Sequence, residues 1–212
     1  MAHGRFITLE GGEGAGKSTQ VQLLAGALRA SGLAVLTTRE PGGSPGAEDI
    51  RKLLVSGEPG RWTATTEALL HYAARTDHLD RLVRPALESG SWVVCDRFAD
   101  STMAYQGFGH RLGRDWVAAL HRDILKDFAP DLTLILDIPV EIGLARTTAL
   151  GRGEERYERM GKDFHERLRQ GYLEIAQAEP GRCALIDATG DVTAVQEAIR
   201  KAVSQRLGVA LS

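Results

Sequence analysis

Three features of the sequence predict a three-layer α/β fold, with a five-stranded parallel sheet covered by helices on both faces. Short apolar runs recur along the chain, longer helical stretches separate them, and a glycine-rich turn joins the first run to the first helix. Such alternation demands crossover connections, and these produce parallel strands. The candidate strands are Arg5–Glu10, Ala34–Arg39, Trp92–Asp96, Leu132–Asp137 and Ala184–Asp187. Several are apolar without a polar alternate, as expected of strands buried on both faces.

The first helix, Thr19–Ala30, carries Val21, Leu24, Ala25 and Leu28 on one face and stops at Gly32. A long helical region follows at Thr65–Glu88, where Pro85 is expected to kink the last turn. Further helices are expected at Arg114–Asp127, Val140–Leu150, Asp163–Glu179 and Thr193–Leu207. Pro41–Ala47 and Gly151–Gly161 read as loops. The second is rich in arginine and glutamate and poor in apolar residues, so it is expected to be exposed and mobile. No internal repeat, low-complexity tract or linker interrupts the chain, and residues 1–212 read as one domain.

Bulk properties exclude several function classes. The 212 residues carry a formal net charge of −2, which offers no broad attraction to nucleic acid or to an anionic membrane. No apolar run reaches the roughly 18 residues of a membrane span. The few residues before the first strand leave no room for a signal peptide. Cys95 and Cys183 lie in separate apolar runs without metal-ligand spacing. They read as small buried strand residues in a reduced, cytoplasmic setting.

Gly11-Gly12-Glu13-Gly14-Ala15-Gly16-Lys17-Ser18 matches the P-loop pattern in full, with a strand before it and a helix running on through Thr19. Its glycines let backbone N–H groups turn inward around phosphate oxygens, and the helix N-terminus adds partial positive charge. Lys17 is suited to the β- and γ-phosphates and the Ser18 hydroxyl to Mg²⁺. The motif therefore points to a nucleoside triphosphate with Mg²⁺. It does not by itself separate a kinase from a switch or a motor. A guanine-specific switch is disfavoured, because its N-K-x-D motif cannot occur in a chain without asparagine. A nucleic-acid-dependent ATPase is disfavoured by charge and size.

Asp96 and Arg97 end an apolar strand, where the carboxyl edge of a parallel sheet lines the ligand crevice. A carboxylate there can hold Mg²⁺ or its waters, and an arginine can bridge two phosphates. The bland alternative is an ion pair at a strand end. Arg75 and His71 are four apart on the long helix and share a face; Thr102 does so with Tyr105 and Gln106.

Taken in order, six blocks resemble bacterial thymidylate kinases over residues 5–207. They are the run Phe6–Thr19, Thr38-Arg39-Glu40-Pro41-Gly42-Gly43, Tyr72-Ala73-Ala74-Arg75, Asp96-Arg97-Phe98, Ser101-Thr102-Met103-Ala104-Tyr105-Gln106-Gly107, and Pro130–Asp137. The resemblance implies a homodimeric nucleoside monophosphate kinase that uses ATP and Mg²⁺ to phosphorylate dTMP. It implies that Arg75 bonds the thymine base, that Thr102, Tyr105 and Gln106 line the pocket, and that Tyr105 crowds the sugar 2′ position. Glu13 would accept a bond from the 3′-hydroxyl, and Arg39, Glu40 and Pro41 would lie by the acceptor phosphate.

His71 stands where the family usually has a base-stacking phenylalanine; its bland alternative is a half-buried helical histidine. The fourth variable P-loop position is Gly14 or Ala15, depending on the count, and neither is basic. In such members the resemblance implies a catalytic lid arginine: Arg156 first, Arg152 second, acting with Lys17 and Arg97. The alternative is a solvated charged loop.

Overall fold

The computed structural model describes residues 3–150 and 155–211. Five parallel strands form one sheet in the order β2-β3-β1-β4-β5. They are β1 (Phe6–Glu10), β2 (Val35–Arg39), β3 (Trp92–Asp96), β4 (Leu132–Asp137) and β5 (Cys183–Asp187). Every expected strand is present, within a residue at each start. The central strand β1 is buried along its whole length, which explains why its side chains before Glu10 are apolar but for Thr8. Its one polar side chain before Glu10, Thr8, is satisfied by Thr133 across the ladder at 2.9 Å.

The helices are α1 (Lys17–Ala30), α2 (Pro45–Val55), α3 (Ala64–His78), α4 (Arg84–Glu88), α5 (Ala99–Thr102), α6 (Arg114–Leu125), α7 (Val140–Leu150), α8 (Glu155–Glu158), α9 (Lys162–Ala178) and α10 (Val192–Leu207). On one face of the sheet, Leu24 and Leu28 of α1 pack with Ile199 and Val203 of α10 against Ile7, Leu9 and Leu134. On the other, Tyr72, Leu79 and Val83 pack with Phe98 and Leu125 against Phe6 and Val93. Both cysteines are free and buried, as expected. Among the described residues no helix is long and apolar enough to cross a membrane.

Two local expectations need correction. The loop at Pro41–Ala47 ends early, because Ser44 is the N-cap and Pro45 the first residue of α2. Proline suits that position, where no N–H bond is lost. α2 buries only Ala47 and Leu54, so its apolar stripe is too thin to read as periodicity. The expected helix from Thr65 to Glu88 is interrupted by a π-turn over Leu79–Val83, just before Pro85. Proline cannot donate to the carbonyl four residues back, and the widened turn absorbs the clash. A third region, α5 continuing as a π-helical segment over Met103–Gly109, carries several of the expected site residues. Arg182 clamps the start of this segment by bonding both oxygens of Asp100, at 2.7 and 3.0 Å.

Candidate active site

The P-loop leaves the carboxyl end of β1 and wraps around the N-terminus of α1. Gly14 has φ +69° and lies against the Gly143 carbonyl of α7, so a side chain there would collide with backbone as well as strain it. No side chain caps α1, and Ser18 and Thr19 are exposed at its start. The first-turn N–H groups are thus left for an anion. Lys17 is 8% exposed, and its Nζ donates to the carbonyls of Gly11 (3.0 Å) and Gly12 (2.8 Å). Burial, helped by the charge of Arg97, pushes its ammonium down to about 8.

Arg97 follows β3 with φ +68°, a left-handed conformation that costs a non-glycine residue about 1–3 kcal/mol. Its backbone N–H bonds the Leu9 carbonyl at 2.9 Å, and the turn throws the side chain across the P-loop. Nη1 donates to Gly11 O at 3.0 Å and to Tyr172 Oη at 3.3 Å; Nη2 donates to Glu13 Oε1 at 3.2 Å. The guanidinium also lies over the Tyr105 ring, 5.0 Å from its centroid. Tyr105 Oη donates to Glu13 Oε1 at 2.5 Å. Burial would raise the Glu13 carboxyl, but Arg97 and then Lys17 outweigh it and hold it below its ordinary value. Beneath them Glu10 is fully buried and accepts from Phe98 N, Ser101 Oγ and Tyr172 Oη. Burial, then the charge of Asp100, raise Glu10 to about 7.

Ser18 Oγ donates to Asp96 Oδ2 at 2.6 Å, so the two expected metal ligands are adjacent. No group of three metal-binding side chains occurs among the described residues. Mg²⁺ held mainly by phosphate oxygens and waters needs only one or two protein oxygens, and this pair fits it. Arg39 faces the same groove as Ser18 and Asp96, with Nη2 held by Glu48 at 3.0 Å.

A second, narrow cavity is lined by Glu13, Pro41, His71, Arg97, Ser101, Tyr105, Gln106 and Tyr157. It joins most of the expected acceptor residues. Glu40, Arg75 and Thr102 lie buried behind its wall. Arg75 Nε donates to Glu40 Oε2 at 2.7 Å, and its Nη2 donates to Phe98 O (3.0 Å) and Thr102 Oγ1 (3.1 Å). Its Nη1 is buried with no partner among the described residues. Gln106, one turn beyond Thr102, donates through Nε2 to Glu67 Oε1 at 2.6 Å, while its Oε1 is likewise buried and unpartnered.

His71 does face the cavity, bonded by Nε2 to Tyr157 Oη at 3.1 Å. Burial pushes the imidazole down to about 4 against the pull of Glu67, so it is neutral near pH 7. The titratable charge that distinguishes histidine from phenylalanine is therefore suppressed.

The segment around Gly151–Gly161 is only partly an exposed loop. Arg152 lies outside the described residues. Arg156, on α8, is fully buried: Nη1 donates to Leu54 O at 2.9 Å and Nη2 to Glu67 Oε2. The expectation of exposure fails at Arg156 and Tyr157 because both pack onto α2 and α3. Arg159 is exposed and bonded to Glu58 and Gly57.

The thymidylate kinase family model matches residues 9–199 of this chain. The chain belongs to the thymidylate kinase family. It is 57% identical to a thymidylate kinase of Caulobacter vibrioides over 209 residues, covering 99% of this chain and 100% of that protein. It is 54% identical to one from Gluconobacter oxydans, with 97% of each covered. The crystal structure of thymidylate kinase from Ehrlichia chaffeensis superposes with a TM-score of 0.77 at 31% identity, covering 95% of this chain and 99% of that one.

Within this thymidylate kinase family member, several site residues escape a motif-based reading. Glu67, His78, Tyr157 and Tyr172 all bond expected site residues, and Glu10 bonds the Phe98 and Ser101 backbone that follows Arg97. For two of them a signal existed. Glu67, His71, Arg75 and His78 recur at intervals of four, four and three on α3, a polar stripe on a helix that must also pack.

Proposed function

We propose that the protein transfers the γ-phosphoryl group of ATP to dTMP, giving dTDP and ADP for dTTP synthesis. One observation carries the choice of acceptor. A buried donor, Arg75 Nη1 on α3 behind the cavity wall, and a buried acceptor, Oε1 of the cavity-lining Gln106, are both left unpaired among the described residues. A thymine or uracil edge offers the complement, a carbonyl O4 beside an N3–H. Cytosine offers the reverse, an amine beside an unprotonated nitrogen, and would leave both protein groups unsatisfied. The neutral His71 ring supplies a flank for the base.

An oxygen of the dTMP phosphate attacks Pγ, the bond from Pγ to the β-bridging oxygen breaks, and ADP leaves. That nucleophile is already largely dianionic near pH 7, since its second pKa is about 6. No general base is needed, and catalysis reduces to alignment and charge neutralisation. The P-loop N–H groups and Lys17 hold the donor phosphates. Arg97 stands between the P-loop and the acceptor cavity, so it can contact both phosphates. Glu13 and Tyr105 orient the sugar; Pro41 borders the acceptor cavity with Glu40 behind it, while Arg39 faces the Ser18–Asp96 groove and reaches the acceptor phosphate only from that side. Ser18 and Asp96 would hold Mg²⁺, which supplies charge neutralisation on the transferring phosphates. Arg156 must leave Glu67 to act at the phosphoryl group, so its role requires α8 to shift; Arg152 is the second lid candidate.

The test is ADP release from ATP and Mg²⁺ with dTMP, dUMP, dCMP, AMP, GMP and thymidine as separate acceptors. We expect kcat/KM for dTMP to exceed that for dCMP by on the order of 10³ or more, and that for dUMP by only about 10–100-fold, since a single methyl separates them. Equal or better use of dCMP would overturn the base assignment. The reading includes a single domain in a reduced, cytoplasmic setting and, as the family resemblance implies, a homodimer. Sedimentation at twice the 23.0 kDa of one chain is expected, and a monomer at micromolar concentration would refute the dimer.

A further inference from the structure

Glu67 is a buried acid behind the acceptor cavity, bonded to its lining residue Gln106, with no place in phosphoryl transfer as derived above. It lies on α3, 1% exposed, and three side chains converge on it. Gln106 Nε2 donates to Oε1 at 2.6 Å, Arg156 Nη2 donates to Oε2, and His110 Nε2 stands 3.5 Å from Oε1. Burial would raise its carboxyl, but His110, His71 and Arg156 pull it down to about 2. His71 is itself neutral, so Arg156 is the nearby cation that counts. Glu67 is thus ionised near pH 7, and an ionised carboxylate can only accept hydrogen bonds.

This has a consequence for Gln106. A side-chain amide can present either its NH₂ or its oxygen to a ligand, and the two orientations have nearly the same shape. Turned around, the Gln106 oxygen would sit against a carboxylate oxygen at hydrogen-bond distance, with no proton between them. Glu67 forbids that orientation. The amide must give its NH₂ to Glu67 and offer its oxygen, the atom left unpartnered, to the acceptor base.

We infer that Glu67 is a specificity-determining positioning residue, which locks the Gln106 amide so that the site accepts a base N–H and refuses a base lone pair. The inference rests on the dTMP reading above. The same carboxylate also holds Arg156, so the group that fixes base recognition is tied to the segment that covers the site. A carboxamide at position 67 can donate as well as accept, and it would free Gln106 to turn.

The experiment measures kcat and KM for dTMP and dCMP in the wild type and in Glu67→Gln. The ratio of the two kcat/KM values is expected to fall by on the order of tenfold or more in the variant, through a lower KM for dCMP and a higher KM for dTMP. A purely structural role would lower kcat for both substrates and leave the ratio alone, which would overturn the proposal. Should Glu67→Gln not fold, Glu67→Asp serves. It withdraws the carboxylate by one methylene, beyond reach of Gln106, and the ratio is again expected to fall. A wild-type ratio in either folded variant refutes the role of Glu67 while leaving the dTMP reading intact. Absence of any dTMP preference in the wild type overturns both.

Discussion

Replacing Lys17 by alanine is expected to lower turnover by on the order of 10²–10³. The thermal midpoint should move by no more than about 4 °C. The two effects separate because of where the ammonium sits. It is desolvated and, among the described residues, bonded to two P-loop carbonyls, both of which can turn to water in its absence. Removing it therefore costs the free protein little, and relief of the burial penalty that the charge carried offsets that cost. With the triphosphate bound, the same position faces developing negative charge that no nearby lysine can meet. A second readout is available without mutation. Since burial and Arg97 depress the ammonium to about 8, the free enzyme loses this charge as pH rises through that value. Arginines do not titrate there, so kcat/KM for ATP, which reports on the free enzyme, should fall above about pH 8. Bound phosphates restore the proton, and kcat should fall later. Turnover within threefold of wild type in Lys17→Ala would remove Lys17 from the reaction.

The parts of the site legible in the sequence are those in which chemistry is contiguous or tied to a strand end. The P-loop is one such run. Asp96 and Arg97 are another, since they terminate an apolar strand whose carboxyl edge had to border the crevice. The strands themselves stand out because burial on both faces leaves no polar alternate to blur them. What failed to show follows from the same physics. α2 rests on two buried apolar side chains, too few for a periodic signal, and only the Ser44-Pro45 pair marks its start. Arg156 sits in a stretch of alternating charge that reads as solvated surface, yet a buried carboxylate 89 residues earlier draws it inside. Long-range ion pairing of this kind leaves no local trace. Glu67 is the counterpart of that failure: a single acid on a helix reads as exposed, and only its spacing from His71 and Arg75 points inward.

Arg75→Ala is expected to lower stability by about 3–5 kcal/mol, because it leaves a buried carboxylate without its cation. The guanidinium is fully buried, and its Nε meets Glu40 Oε2 at 2.7 Å. Burial opposes ionisation in both groups; each nevertheless favours the charged form because the other is present. The guanidinium is also flanked by the Tyr72 and Phe98 rings, 4.7 and 5.1 Å from its carbon. In the variant Glu40 keeps only His78 Nδ1, at 3.0 Å, and His78 is in turn bonded to Thr38. At about 2–4 °C per kcal/mol for a chain of this size, the thermal midpoint should drop by roughly 10 °C. The loss of stability and the loss of base recognition can be told apart with the double variant Arg75→Met, Glu40→Gln. It removes both charges, fills most of the volume, and leaves His78 a neutral partner. Replacing a buried pair as a unit is far milder than breaking it, so at least half of the lost stability should return. The KM for dTMP should stay raised by tenfold or more, since neither new side chain can donate to O4 from the position of Nη1. If KM recovers along with stability, Arg75 supports the cavity wall without reading the base, and the thymine edge must be recognised through Gln106 alone.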